Sequence, residues 1–441
     1  MNIHLAKSQA VGVRLLILMF VAALFLGGCS SSGRRLQVRP QQVSLHASDA
    51  EASDQGLVEI PVEFHGHEVI AEVMINGTGP HRMILDTGSA VCQISPEVAR
   101  QAGIRRSSSV RTRDAHGGSH REGMGIAETI RVGALDGQGV PLTIDDLPPF
   151  IAADGDIVGI LGYNMFTGHT LVIDYPEQRV FLSDWRLASS TPGTVPLKLI
   201  NGRVPSVRVD MMTGHERRGM PLEMIVDTGS GAGVALAGYY TALYADTKHT
   251  YQRGASMSAS GSIQPVHYAR MNYDMDLQGV VIRKLMAIVN EDLREDHTTI
   301  GGDFMRKFRV SIDPVGRHAR FELPGGAPDG AKEIVMPVWK GHGFRQSRID
   351  DGRGLVESVV EGSAAQRGGL QPGDIIVGFD GQPLSIDPLH WPLPIQDESI
   401  QIRLFEIERD GQRLELMLEF QDILPDPEFY KRHQSPQPVA D

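Results

Sequence analysis

Two short segments of the chain carry the same four residues behind an apolar run: Met83-Ile84-Leu85-Asp86-Thr87-Gly88-Ser89 and Met224-Ile225-Val226-Asp227-Thr228-Gly229-Ser230. An aspartate after three apolar residues and before Thr-Gly-Ser ends a buried strand where the backbone turns sharply, and glycine permits the turn. One such segment alone reads equally well as an aspartate capping its own turn. Two matched copies allow more. If they meet about a twofold axis, Asp86 and Asp227 lie too close to ionise together, and one proton is shared. The charged member of such a pair takes a proton from a water held between them, while the protonated member donates to a carbonyl oxygen. That acid–base pairing splits an amide without a metal or a covalent intermediate. Thr87 and Thr228 would bond across the axis, Ser89 and Ser230 would support the outer carboxylate oxygens, and Gly88 and Gly229 would keep the backbone close to the pair.

The elements that must hold these residues repeat as well. Ile160-Leu161-Gly162-Tyr163-Asn164-Met165-Phe166 follows the first aspartate and Thr299-Ile300-Gly301-Gly302-Asp303-Phe304-Met305 the second, at nearly equal spacing, and Ile173-Asp174 is matched by Ile312-Asp313. The matches therefore span whole duplicated units, which we bound at 57–188 and 189–325. Each reads as strands. Leu57 to Phe64 and Glu68 to Ile75 alternate around a His65-Gly66-His67 turn, and Val204 to Met211 and Met220 to Val226 flank a polar turn around Gly214. Short helices are expected at Pro96 to Ala102 and at Phe304 to Lys307. The composition agrees: 49 glycines, 26 prolines and 22% charged residues favour short strands and tight turns over a helical bundle. A length of 441 residues exceeds what one core supports. With acids and bases interspersed, the net charge of −12 offers no basic stripe for a nucleic acid.

These motifs resemble the pepsin and retropepsin superfamily of aspartic peptidases over roughly Leu57 to Leu323, and the downstream apolar-apolar-Gly segments look most like the retropepsin pattern. The resemblance implies a mainly β, two-lobed acid-protease fold with a pseudo-twofold axis, like a fused dimer, acting as an aspartic-type endopeptidase on extended peptides. Asp86 and Asp227 would be its catalytic carboxylates, with Gly162 and Gly301 packed behind their loops. It also implies a mobile hairpin about thirty residues beyond each aspartate, for which His116, Gly117 and Gly118 in one unit and Ser260 and Gly261 in the other are the candidates. No tyrosine lies between Gln101 and Gly125, a departure from the pepsin hairpin. His116 with His120, and His65 with His67, lack a third ligand at zinc spacing, so no metal or other cofactor is expected. Cys92, in an apolar stretch, reads as an inert buried thiol.

At the amino terminus, Lys7 and Arg14 precede a twelve-residue apolar run, Leu15 to Leu26, and then Gly27-Gly28-Cys29. The run is too short for the ~20 apolar residues that cross a bilayer, and it has the layout of a secretory leader. Leu26-Gly27-Gly28-Cys29 resembles the bacterial lipobox. This implies cleavage after residue 28, lipidation of Cys29, and, with Ser30 next, a place in a Gram-negative envelope, anchored in the outer membrane and facing the periplasm. Residues 29–56 read as a flexible tether.

Beyond a turn-rich Pro324 to Gly330, residues 332–422 resemble a bacterial PDZ domain, most plainly in Val356 to Ala365 and Gly369 to Ile376. Such domains hold an extended peptide as an added strand with its terminal carboxylate on backbone amides. The matching loop is Gly341-His342-Gly343-Phe344, and peptide carboxyl termini are the implied partners. Residues 423–441, with four prolines, read as a disordered tail. The alternative function is a non-catalytic, peptide-binding envelope lipoprotein that keeps the protease fold; the survival of both Asp-Thr-Gly-Ser segments counts against it.

Overall fold

A computed structural model of the chain describes residues 18–19, 42–45, 56–113, 119–147, 157–213, 217–218, 221–257, 263–290, 293, 297–324, 332–335, 340–349, 353–359, 363–384, 402–419 and 421–422. One compact unit takes in Leu18–Thr250 and Ala255–Pro337, the other Val338–Asp441. The expected disordered tail and most of the leader lie outside the described residues, and no described helix is long and apolar enough to cross a membrane.

In the first lobe, alternation of apolar and polar residues closes a sheet on itself. Glu68–Ile75 pairs with Thr78–Asp86, which runs parallel to Ile157–Gly162. That strand pairs with Cys92–Ile94, which lies parallel to Leu135–Ile144. The ring closes through Ser119–Val132, which pairs with Leu135–Ile144 and returns to Met74 and Ile75. Inward residues such as Val69, Ala71, Val73, Leu85, Leu142 and Ile130 are fully or almost fully buried. The second lobe repeats the circuit. Val204–Thr213 pairs with Leu222–Val226, which is parallel to Thr299–Ile300, and then come Val234–Ala237, Met286–Asn290 and Ile263–Met271. Asp274–Asp276 closes it on Asp210 to Met212.

A third sheet belongs to both lobes. Val58–Ile60, Arg179–Ser183 and Thr170–Asp174 from the first lobe meet Arg309–Asp313, His318–Glu322 and the start of Thr194–Ile200 from the second, all antiparallel. The central pairing matches Leu171 with Ile312 and Ile173 with Val310, partners that exchange about the equivalent pair Val172 and Ser311, as a pseudo-twofold axis through that pair requires. The repeated Ile-Asp pairs end these two strands and cap their turns: Asp174 Oδ1 accepts from the Glu177 amide and Asp313 Oδ1 from that of Gly316.

Short helices form at Pro96–Gln101, capped by the Ser95 hydroxyl, and at Gly302–Met305, two residues earlier than the sequence placed it. A further helix, Gly238–Tyr244, follows strand Val234–Ala237; its run of tyrosines gave no helical period. The tether expectation needs correction, because Gln42–Leu45 pairs antiparallel with Leu135 to Gln138 and sets Val43 and Leu45 against the core. Every second residue there is apolar, which suffices for an edge strand. Lys332–Val335, expected to open the last domain, instead runs parallel to Val280–Arg283 of the second lobe.

In the Val338–Asp441 unit, Phe344–Arg348, Gly354–Val359, Ile375–Phe379, Ile402–Arg409 and Gln412–Glu419 form one sheet over a core of Phe344, Val356, Ala365, Leu370, Ile376, Phe405, Ile407 and Leu418. The expected hairpin turns at Asp410-Gly411, both with positive φ (51° and 75°), the conformation that Asp-Gly suits.

Candidate active site

Strands Thr78–Asp86 and Leu222–Val226 deliver their terminal aspartates to the pseudo-twofold axis. Asp86 is fully buried and Asp227 is 3% exposed. In each loop the carboxylate Oδ1 accepts two backbone amides: Gly88 (2.8 Å) and Ser89 (3.2 Å) for Asp86, Gly229 (3.1 Å) and Ser230 (3.1 Å) for Asp227. The threonines bond across the axis. Thr87 Oγ1 donates to Val226 O (2.5 Å) and accepts from Thr228 N (3.1 Å); Thr228 Oγ1 donates to Leu85 O (2.8 Å) and accepts from Thr87 N (3.0 Å). Each lobe thus supplies the hydrogen bonds that close the other's loop.

The glycines set how near the two loops come. A Cβ on Gly88 would lie 2.5 Å from Asp227 Cγ, and one on Gly229 would lie 2.6 Å from Asp86 Cγ, so any other residue would push the carboxyls apart. Behind them, a Cβ on Gly162 would meet the Val91 carbonyl carbon at 2.3 Å, and one on Gly301 would meet Ala232 O at 2.2 Å. The next amide in each case ties the loop down, Tyr163 N to Ser89 O (2.8 Å) and Gly302 N to Ser230 O (2.7 Å).

Electrostatics follow from this burial. The two carboxyls stand within hydrogen-bonding reach of each other, and Asp86 Oδ2 is buried with no other donor among the described residues. Two ionised carboxylates cannot share that space, so a proton sits between them. Burial raises Asp86 to about 6 against the pull of Asp227 and the loop amides, and burial together with the Asp86 charge holds Asp227 well above the usual carboxylate range. The pair titrates as a unit.

Several expected residues behave differently from their sequence reading. The hydroxyls of Ser89 and Ser230 do not reach the carboxylates: Ser89 Oγ donates to Val91 O (2.9 Å) and Ser230 Oγ accepts from Ala232 N (3.2 Å), so the support comes from the serine amides. His116, Gly117, Gly118, Ser260 and Gly261 lie outside the described residues; the strands flanking the first trio, Ser108–Arg113 and Ser119–Val132, form a hairpin. Cys92 is buried, its thiol pushed up to about 12 by desolvation. Sequence reasoning missed His67. Its ring packs on Gly231 (2.9 Å from where a Cβ would stand) and its Cβ on Gly302 (2.3 Å), so a first-lobe turn backs the second-lobe loop. Burial and the Arg306 charge lower it to about 4, keeping it neutral.

In the carboxyl-terminal unit, Gly343 has φ +84°, and a Cβ there would lie 2.2 Å from Ser363 Cβ. The Gly341 to Phe344 loop is held by Ala365 N on His342 O (2.8 Å) and Ser363 Oγ on Gly343 O (3.1 Å). His342 itself turns inward at 1% exposure, edge-on to Phe405, with Nδ1–H donating to Glu419 O (2.9 Å), so its ring lies in the core.

Family comparisons meet this geometry at two places. The Aspartyl protease family model matches residues 71–165, which hold the first catalytic-type loop and its backing glycine, and a PDZ domain model matches residues 355–391. The chain carries an aspartyl protease domain and a PDZ domain. This protease-plus-PDZ chain is also similar to a crystal structure of the HtrA3 PDZ domain bound to a phage-derived ligand (FGRWV): 26% identity, 19% of this chain and 88% of that chain, TM-score 0.17. A PDZ domain protein from Parabacteroides distasonis is similar at 16% identity over 20% of this chain and 21% of that chain, TM-score 0.18. No curated protein matches the chain.

Proposed function

We propose that the chain is an aspartic-type endopeptidase in which Asp86 and Asp227 share one proton, activate a water and cleave extended peptide segments. One observation carries this reading. Two Asp-Thr-Gly-Ser loops from different lobes meet on one axis, cross-bonded through their threonines, with the two buried carboxyls within hydrogen-bonding reach of each other. The ionised carboxylate removes a proton from the water as it attacks the scissile carbonyl, and the protonated partner donates to the carbonyl oxygen. On collapse of the tetrahedral gem-diol the C–N bond breaks, the amine nitrogen takes the proton from the protonated carboxyl, and a gem-diol hydroxyl returns its proton to the ionised one, so the pair again holds one proton. The loop amides, aimed at Oδ1 of each aspartate, hold both carboxyls in the geometry the step requires.

The PDZ domain, in this reading, binds peptide chain ends through the Gly341 to Phe344 loop, either delivering substrate or governing access to the cleft. The leader-like segment and the lipobox-like Leu26 to Cys29 support a lipid-anchored enzyme on the periplasmic side of a bacterial outer membrane as part of this reading. The test is incubation of the protein with a denatured-protein digest from pH 4 to 8, with cuts mapped by mass spectrometry. Internal cuts that disappear in Asp227→Asn support the assignment; a well-folded parent that cuts nothing at any pH returns the chain to the peptide-binding alternative.

A further inference from the structure

The stem of the first-lobe hairpin gathers three potential ligands, two from one strand and a third from more than twenty residues further along the chain. Thr112 of Ser108–Arg113 pairs with His120 of Ser119–Val132, and Glu122 lies two residues further along the same strand, so both side chains share a face. Asp145 follows Leu135–Ile144, whose Ile144 pairs with Gly123, and so joins them from a third strand. His120 Nε2 lies 2.8 Å from Glu122 Oε1 and 4.0 Å from Asp145 Oδ2, and the ligand atoms of the three residues all fall within 4.8 Å of one another. The Thr112 hydroxyl adds to the convergence, 2.9 Å from Glu122 Oε1 and 3.3 Å from His120 Nε2.

This cluster carries more negative charge than its surroundings offset. Glu122 is 2% exposed, and its second oxygen, Oε2, is buried with no well-formed hydrogen bond, although the Thr143 hydroxyl lies near the carboxylate. Among the described residues no lysine or arginine pairs with Glu122 or Asp145; Arg106, which flanks Gly123, spends its Nη2 on Ile144 O (3.0 Å). A buried carboxylate normally has a cation or a full set of donors, and its absence costs several kcal/mol. We propose that His120, Glu122 and Asp145 bind a divalent transition cation, with zinc the best match to one imidazole and two carboxylates. Binding displaces any proton on His120 Nε2, leaves the remaining proton on Nδ1, and gives the buried carboxylate its counter-charge. The ion would staple both strands of the hairpin to the end of Leu135–Ile144.

The test uses the full chain stripped with chelator and titrated with Co²⁺ and with Zn²⁺. Co²⁺ should give visible d–d bands that saturate at one equivalent. At a hundredfold excess over the dissociation constant, Zn²⁺ should raise Tm by about 5 °C. Asp145→Asn, at a partly exposed position that leaves the fold intact, and His120→Asn should each weaken binding at least tenfold. Absence of a saturable one-equivalent signal, or binding in both variants as tight as in the parent, overturns the proposal. None of these readouts needs activity, so an inactive protease would leave them standing.

Discussion

The two lobes hold their catalytic-type loops with the same backbone bonds and back them with different side chains. In the first lobe, Tyr163 fills the space behind the loop with its own fully buried ring, Ala90 packs against Val204 and Ile225 of the second lobe, and Asn164 Oδ1 accepts from Cys92 N at 3.0 Å. In the second lobe the matching residues are Gly302, Gly231 and Asp303. The first two leave space that His67 fills from across the axis, while Asp303 pairs with Arg306. Duplication has kept what touches the carboxyls and released what stands behind them. Behind the first loop stands Tyr163 of its own lobe, and behind the second stands His67 of the other.

The shared part of that comparison predicts the largest effect. Thr87→Ala and Thr228→Ala each leave one buried amide and one buried carbonyl across the axis without a partner, at a cost of about 2–4 kcal/mol. Urea unfolding should show nearly equal losses; a large inequality would mean that the loops are not interchangeable even at the axis.

Protonation marks where the two aspartates cease to be equivalent. Below about 6 both carboxyls carry protons and the base is lost, so kcat/KM should fall about tenfold per pH unit on the acid side and hold near neutrality while Asp227 keeps its proton. Stability runs the other way. The folded pair binds more protons than the unfolded chain above the ordinary carboxylate value, so its contribution is present in acid and lost as pH rises through about 6. A Tm profile measured alongside the rate profile checks both signs, and Asp86→Asn should flatten the stability slope.

The differing part predicts a one-sided sensitivity. Gly302→Ala sets a methyl 2.3 Å from His67 Cβ and should cost about 1–3 kcal/mol, recovered in part by adding His67→Gly. Full loss persisting in the double variant would show that His67 is not what the methyl meets. Tyr163→Phe, by contrast, removes a buried hydroxyl that has no hydrogen-bond partner among the described residues and should change stability by less than about 1 kcal/mol.

How far the sequence reached follows the same division. The duplicated Asp-Thr-Gly-Ser loops, the backing glycines 162 and 301 and the Asp410-Gly411 hairpin were legible because each rests on local backbone demands: a sharp turn, a close approach, a positive φ. The shared sheet could be sensed only as a repeated Ile-Asp pair, since its register depends on residues 139 apart in the chain. His67 and the meeting of His120, Glu122 and Asp145 were not legible. Their partners arrive from other strands, and a spacing rule that seeks zinc ligands along one segment passes over a site assembled from two. The serine hydroxyls were misread because their own loop carbonyl and amide compete for them at shorter range than the carboxylate.

The central claim, one proton and one water handled jointly by two lobes, is tested most directly by comparing Asp86→Asn, Asp227→Asn and the double variant on a single mapped substrate at pH 6.5. Groups that act as a unit are strongly non-additive. Each single variant should lose at least about 10³-fold in kcat/KM, and the double variant should be no worse than either. A single variant that keeps substantial activity, or losses that multiply in the double variant, would contradict the shared pair.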